Sequence, residues 1–325
     1  MDKAQEIEAA PEIGARTPTG LSRWLVRIAA GLILVLAINQ SFNLGFFVGV
    51  TLIDLRFYYA IIALALASVF LLYPFRAALI GLPPRWYDWV FAVAIVVVCG
   101  YFFANAYNIK LRGWEMAPPE IAIYFSFALW FLVLEAGRRA GGLPLAIIVA
   151  ILSCYPMYTE YLPNVIAGFP SSAGYTAAYH AMGSESILGI PLRTFAQLIV
   201  GFIVFGAALQ QTGAGAFFMD ISFALLGRVR GGPAKVAIFS SGLMGSMSGS
   251  VITNVMTTGV MTIPAMRRTG IRGTFAAGVE TCASTGGVLM PPVMGATAFV
   301  MASMMNVPYA EGALAAAIPS ILYFF

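Results

Sequence analysis

Charge is what this sequence has least of. Lys, Arg, Asp and Glu make up 10% of the 325 residues, against 60% hydrophobic residues and a mean hydropathy of +0.86. A soluble domain carries about 25% charge, so the soluble globular class is excluded and the chain reads as an all-α polytopic membrane protein. Histidine is almost missing. The sole histidine, His180, lies in a polar connection, which excludes a metal cluster built on histidine and leaves the many serines without the base of a Ser–His pair. Cysteine is scarce too. Cys99, Cys154 and Cys282 lie far apart in apolar segments and form no CxxC pair, so they read as small core residues rather than redox or metal groups. There is no Walker A loop, no GxGxxG after a strand, no HExxH and no EF-hand loop. The chain therefore reads as no enzyme, with an intramembrane hydrolase the one enzymatic alternative. Without a nucleotide site it cannot power transport with ATP by itself. The net charge of +4 sits between apolar segments, where membrane topology accounts for it; it is no sign of nucleic acid.

The apolar segments come in a definite order. Residues 1–20 carry Pro, Glu, Thr and Gly without an apolar period and read as a disordered cytoplasmic tail. Spans are predicted over Trp24–Asn39, Phe57–Tyr73, Trp86–Tyr107, Ile121–Ala136 and Leu143–Tyr158. Arg16, Arg23 and Arg27 hold the first start in the cytoplasm, and Arg76, Arg85, Arg138 and Arg139 then fall on the same side. Glu135 reads as a boundary ion pair with Arg138 and Arg139. Glu160–Pro191 is the longest polar connection and is expected outside. A sixth span covers Leu192–Gln211, and Gly213–Leu226 is expected along the inner surface. The final apolar run continues to Phe325 without terminating polar residues, which predicts a fragment of a longer chain. The domain reading is a tail over 1–20, a four-helix membrane unit over 21–140, and the first part of a transport domain over 141–325.

The chain is organised around Lys235–Arg268. Residues 236–266 carry no charge, and basic residues stand at both ends: Arg228, Arg230 and Lys235 before, Arg267, Arg268 and Arg272 after. One span needs about 20 apolar residues, so these 31 are too many for one straight crossing and too few for two. The middle, Ser246-Met-Ser-Gly-Ser250, is poor at holding a helix. The economical reading is a re-entrant helical hairpin that turns at Ser248–Ser250. The next segment, Thr274–Met305, is a discontinuous helix interrupted by Thr281-Cys-Ala-Ser-Thr-Gly-Gly287 and by Pro291-Pro292. Broken backbone at membrane depth survives where protein or a watery cavity satisfies it, and transporters build sites there. Ser246, Ser248, Gly249, Ser250, Thr253 and Asn254 at the tip, with Thr281, Ser284, Thr285, Gly286, Gly287, Pro291 and Pro292 at the second break, are the candidate ion and substrate site. Neutral hydroxyl and carbonyl oxygens suffice for sodium, and Ser250, Asn254, Ser284 and Gly286 are the expected sodium positions. The plainer alternative is close helix packing of the Gly245–Gly249 GxxxG match, and Gly45–Gly49 is a second such match. Glu280 reads either as an ion or proton relay or as an interfacial pair with Arg272 or Lys235. Met244, Met247, Met256, Met261, Met290 and Met294 read as fillers of core gaps.

At these residues the sequence is similar to a known family. Residues 227–270 (GRVRGGPAKVAIFSSGLMGSMSGSVITNVMTTGVMTIPAMRRTG) and 279–296 (VETCASTGGVLMPPVMGA) resemble the large, DctM-like membrane subunit of tripartite ATP-independent periplasmic (TRAP) transporters. ESILGIPL (185–192) and GAGAFFMDISFALLG (213–227) resemble that family as well, and the nearest look is to the TAXI branch, which fuses the small and large membrane subunits. The resemblance implies a bacterial inner-membrane symporter with a cytoplasmic N-terminus and an elevator-type mechanism. Sodium would be the coupling ion and a small organic acid such as a C4-dicarboxylate the substrate. It implies a periplasmic solute-binding protein as partner, no ATPase subunit, and a second hairpin beyond Phe325. An ion channel and a purely structural membrane subunit are the rival readings.

Overall fold

The computed structural model of the protein describes residues 15–45, 52–76, 79–163 and 166–324. Most of the expected tail, the Gly45–Gly49 match beyond its first glycine, and Phe325 lie outside the described residues. Among the described residues the chain forms helices and turns and no strand. It divides into two compact units, Met1–Ala196 and Gln197–Phe325.

The first unit rests on four long helices: α1 (Gly20–Ser41), α2 (Asp54–Leu72), α3 (Trp86–Arg112) and α4 (Glu120–Gly141). Their 19 to 27 residues correspond to about 29–40 Å at 1.5 Å per residue, enough to cross a hydrocarbon core of about 30 Å. All four coincide with predicted spans. Phe57, Tyr59, Ile61 and Phe70 of α2 are buried against Ile95 and Phe102 of α3 and Leu129 of α4. Tyr59 stacks on Phe102, and Tyr101 on Phe125 at 4.1 Å between centroids.

The polar end of this unit is held by a buried ion network. Asp88 is wholly buried and accepts from Arg16 Nη1 at 2.9 Å and Arg139 Nη1 at 2.7 Å. Glu135 accepts from Arg138 and Arg139, as expected from the sequence. Arg16 is thus a structural residue, also tied through its backbone N–H to the Leu72 carbonyl.

The fifth predicted span is bent. α5 (Leu143–Ser153) meets the segment Tyr155–Tyr161, made of α6 (Tyr155–Tyr158) and a 3₁₀ turn, at 51°. Pro156 has no N–H for the Leu152 carbonyl, the Met157 N–H turns to the Cys154 carbonyl, and the Ser153 carbonyl so released accepts from His180 Nε2 at 2.8 Å. His180 stands on α7 (Ala173–Met182), a helix inside the stretch expected to be a polar connection. Its small residues Ala177, Ala178 and Ala181 are fully buried, so it is held by packing that a polarity reading overlooks.

The sixth span runs Ile190–Gln211 as α8 (Ile190–Thr194), a π-helical turn over Phe195–Ile199, and α9 (Val200–Gln211). The second unit continues with α10 (Ala214–Leu226), α11 (Gly232–Ser248), α12 (Val251–Arg268), α13 (Gly273–Gly286), a 3₁₀ turn over Gly287–Leu289, α14 (Ala296–Met304) and α15 (Tyr309–Phe324). Glu311, expected in a loop, stands in the first turn of α15, where a carboxylate complements the helix dipole. Three residues expected in the core do not lie there: Cys282, Met256 and Met261 are exposed, whereas Cys99, Met244, Met247 and Met294 are buried.

Candidate functional site

The expected hairpin is formed by α11 and α12. Ser241 faces Thr258, with their hydroxyl oxygens 3.2 Å apart, and Ala237 packs with Met266, so the two helices run antiparallel and their basic ends lie together. The turn needs Gly249, whose φ is +57°, the left-handed region where glycine carries no steric penalty. Ser250 then caps α12, its hydroxyl accepting from the Thr253 N–H.

The second break lies against this tip. Gly245 meets Gly287 so closely that a Cβ on Gly245 would overlap the Gly287 backbone, and one on Gly249 would strike the Met294 and Val293 carbonyls. The Val293 N–H donates to the Ser246 carbonyl at 3.0 Å. Each N–H of the broken stretch from Met290 onward finds an acceptor. Met290 donates to Gly287 O, Gly295 to Val288 O, and Met294 to the Tyr309 hydroxyl. Pro291 and Pro292 have no N–H to place. Tyr309 donates onward to the Pro292 carbonyl at 2.7 Å, and Ser320 donates to the Leu289 carbonyl. α15 therefore satisfies the break with side chains, as irregular backbone inside a membrane requires.

One acceptor is left over. Asn254 is buried; its Nδ2 donates to the Ser241 carbonyl at 2.8 Å, and Oδ1 has no partner. This amide packs on Gly287, where an added Cβ would fall 2.6 Å from Nδ2. A buried acceptor without a donor costs about 1–3 kcal/mol.

Glu280 lies in the same helix cluster. It is wholly buried, and among the described residues it pairs with no cation. Neither Arg272 nor Lys235 is its partner. Hydroxyls surround it instead: Ser241 of α11 donates at 3.1 Å, Ser284 of α13 at 3.2 Å, and Thr258 and Thr262 of α12 donate at short range. Gly259 leaves room for its side chain. Ser241 joins the two features, since its carbonyl takes Asn254 and its hydroxyl takes Glu280.

The predicted site residues do not all gather. Ser246, Ser248, Gly249 and Ser250 form the tip, and Asn254 meets Gly287 behind it. Ser246 spends its hydroxyl on the Leu243 carbonyl, and the Ser248 hydroxyl accepts from the Ser250 N–H. Ser284 turns to Glu280, and Gly286 packs under the Tyr323 ring. Thr253, Thr281 and Thr285 are exposed, and the latter two donate to carbonyls one turn back on α13. Pro291 and Pro292 form the turn after the 3₁₀ segment, joined by a cis bond. Sequence reasoning missed Ser241, Thr258, Thr262 and Tyr309. A signal existed for two of them: Asn254, Thr258 and Thr262 recur every four residues and form one polar stripe on an apolar helix.

The family model described as "Tripartite ATP-independent periplasmic transporter, DctM component" matches residues 128–325. The chain belongs to this family. The family is one of transporter components, not of enzymes, and with its apolar helices the TRAP permease chain is a multi-pass membrane protein. Among curated relatives, the ectoine/5-hydroxyectoine TRAP transporter large permease protein of Ruegeria pomeroyi is 26% identical over 164 residues, covering 50% of this chain and 38% of the relative. The C4-dicarboxylate TRAP transporter large permease protein of Pseudomonas aeruginosa is 28% identical over 106 residues, covering 33% of this chain and 25% of the relative. The matches thus take in well under half of these TRAP relatives' length. No solved structure matches the chain.

Proposed function

We propose that this chain is the permease part of a sodium-coupled, binding-protein-dependent importer of small organic acids in a bacterial inner membrane. Its N-terminus is cytoplasmic, residues 21–140 act as the small-subunit-like unit of a TAXI-type fusion, and residues 141–325 form the first part of the transport domain. A periplasmic solute-binding protein delivers the substrate. The C4-dicarboxylate in the name of the Pseudomonas relative supports an organic acid.

The observation that carries the reading is the unpartnered Oδ1 of Asn254, buried where the two helix breaks meet. A neutral amide oxygen is hard-oxygen chemistry that fits a small cation, and the oxygens of the cluster are hydroxyls, carbonyls and the Glu280 carboxylate. Asn254 would hold the ion, and Ser250, Ser284 and Gly286 are the further residues from which it would draw hydroxyl and carbonyl oxygens. When bound, sodium supplies positive charge at the hairpin tip and links substrate entry to the ion gradient. The chain's own residues do the rest. Ser241 and Gly287 fix the Asn254 amide, and Glu280 ties Ser241 to Ser284, so the tip and the second break share one hydrogen-bonded frame.

The test uses the full-length permease with its binding protein. Asn254→Leu keeps the volume roughly and removes the acceptor. The sodium concentration for half-maximal uptake should rise about ten-fold or more, taking a lost ligand as about 1–3 kcal/mol, at normal surface expression. Unchanged sodium dependence in Asn254→Leu and in a Ser284→Ala, Thr285→Val double change would leave close packing as the role of these residues.

A further inference from the structure

The first unit carries a second polar feature that the transport reading does not use. Between the end of α2 and the start of α3 lies a cavity of about 410 Å³ lined by Phe75, Arg76, Leu79, Arg85, Tyr87 and Phe91, within the roughly 300–1,000 Å³ of small-ligand sites. Among the described residues no acidic one lines it. Arg76 and Arg85 are exposed, and no ion pair among the described residues uses either. Asp88, which also accepts from the Arg85 N–H, is spent on Arg16 and Arg139, and Glu135 is spent on Arg138 and Arg139.

That network itself is positive, with three guanidiniums against two carboxylates. Its surplus is buried and under-bonded, since Nε and Nη2 of Arg16 and Nη2 of Arg139 have no partner. The guanidiniums back the aromatic lining of the cavity. Arg138 lies 4.4 Å from the Phe75 centroid and Arg139 4.9 Å from that of Phe91. Ile80, Leu82 and Trp86, interleaved in sequence with lining residues, are exposed apolar groups, in the place along the chain where a membrane helix begins and interfacial aromatics gather.

We propose that this cavity binds the phosphate headgroup of an anionic phospholipid, with a diphosphate lipid preferred over a singly charged one. Arg76 and Arg85 grip the phosphate oxygens, for which a guanidinium offers paired donors. Phe75, Leu79 and the exposed Ile80 and Leu82 take the first carbons of the acyl chains. Basic pockets between membrane helices hold such headgroups by combining local charge with the surface potential of the leaflet.

The experiment takes the full chain, purified in detergent and stripped of lipid. It reads retained lipid by native mass spectrometry and the thermal midpoint. Tetraoleoyl cardiolipin, dioleoyl phosphatidylglycerol, dioleoyl phosphatidylcholine and inorganic pyrophosphate are added separately. Cardiolipin should be retained most and should raise the midpoint, and phosphatidylcholine should do neither. An Arg76→Gln, Arg85→Gln double change should weaken cardiolipin binding about thirty-fold, as the loss of two interfacial charges implies. Arg230→Gln, which removes an exposed arginine elsewhere, should leave it unaltered. Equal retention of phosphatidylcholine, or undiminished cardiolipin in the double variant, would overturn the proposal. A midpoint shift from pyrophosphate as large as that from cardiolipin would overturn the lipid as the source of the phosphate.

Discussion

Asp88 and Glu280 are both wholly buried carboxyl groups, and the two units of the molecule hold them in opposite ways. In the first unit Asp88 is clamped between two guanidiniums and also accepts from the Arg85 N–H. In the second, Glu280 is ringed by hydroxyls of three helices and meets no cation. The difference is one of how easily each can be rearranged. A buried ion pair is expensive to make and more expensive to leave half made. Hydroxyls rotate, and the two threonines have another acceptor at hand: Thr258 reaches the Asn254 carbonyl at 2.8 Å and Thr262 the Thr258 carbonyl at 3.0 Å. The first unit is riveted, whereas the cluster at the hairpin is joined by bonds that can be exchanged one for another.

The comparison is easiest to break at Asp88. Asp88→Asn is nearly isosteric but leaves Arg16 and Arg139 without their shared charge. It should cost about 3–5 kcal/mol, seen as loss of the monodisperse peak in fluorescence-detected size exclusion and a large drop in thermal midpoint. A near-normal midpoint would mean that the network is no rivet.

The next effect in size concerns packing. Gly245→Ala should cost about 1–3 kcal/mol, the usual penalty of overpacking, because its methyl overlaps the Gly287 backbone. Gly100→Ala on α3, where nothing lies within 4 Å, should be neutral or stabilising by up to about 1 kcal/mol. Thermal midpoints of the two variants that fell together would remove the distinction.

Glu280→Gln should have the smallest effect, within about 1 kcal/mol. The amide oxygen still accepts from Ser241 and Thr258, and its NH₂ can donate to a threonine that passes its own proton to a carbonyl. A midpoint loss as large as that of Asp88→Asn would put a cation partner beside Glu280 and erase the contrast.

The architecture was legible wherever length and polarity decide it. Four spans of the first unit, the hairpin and its turn at Gly249 and the broken span all stand where apolar runs and small polar interruptions put them. α7 was not legible, since alanines packed on neighbours look the same on paper as alanines in a loop. Arg16 and Arg139 read as topology signals, and nothing local to them says that both converge on Asp88, 72 and 51 residues away along the chain. At the candidate site Asn254 was visible as a polar residue beside a break. Its bond to Ser241 was not, because it depends on how the two hairpin helices are set against each other. Glu280 drew notice for its depth and read either as a relay or as a pair with Arg272 or Lys235; for the second reading the fold supplies hydroxyls in place of the cation.

Main chain against main chain at Gly245 and Gly287 has a mechanical meaning. Interlocked side chains can hop between rotamers and let helices creep past each other in small steps. Two backbones in contact have no such soft coordinate, and the Val293-to-Ser246 hydrogen bond beside them resists shear. The hairpin tip and the broken span are therefore held as one piece, like two plates bolted through a single hole. Slippage belongs to surfaces of another kind, such as the exposed row of Ile252, Met256 and Val260 on α12, where flexible side chains can trade neighbours without parting a backbone bond.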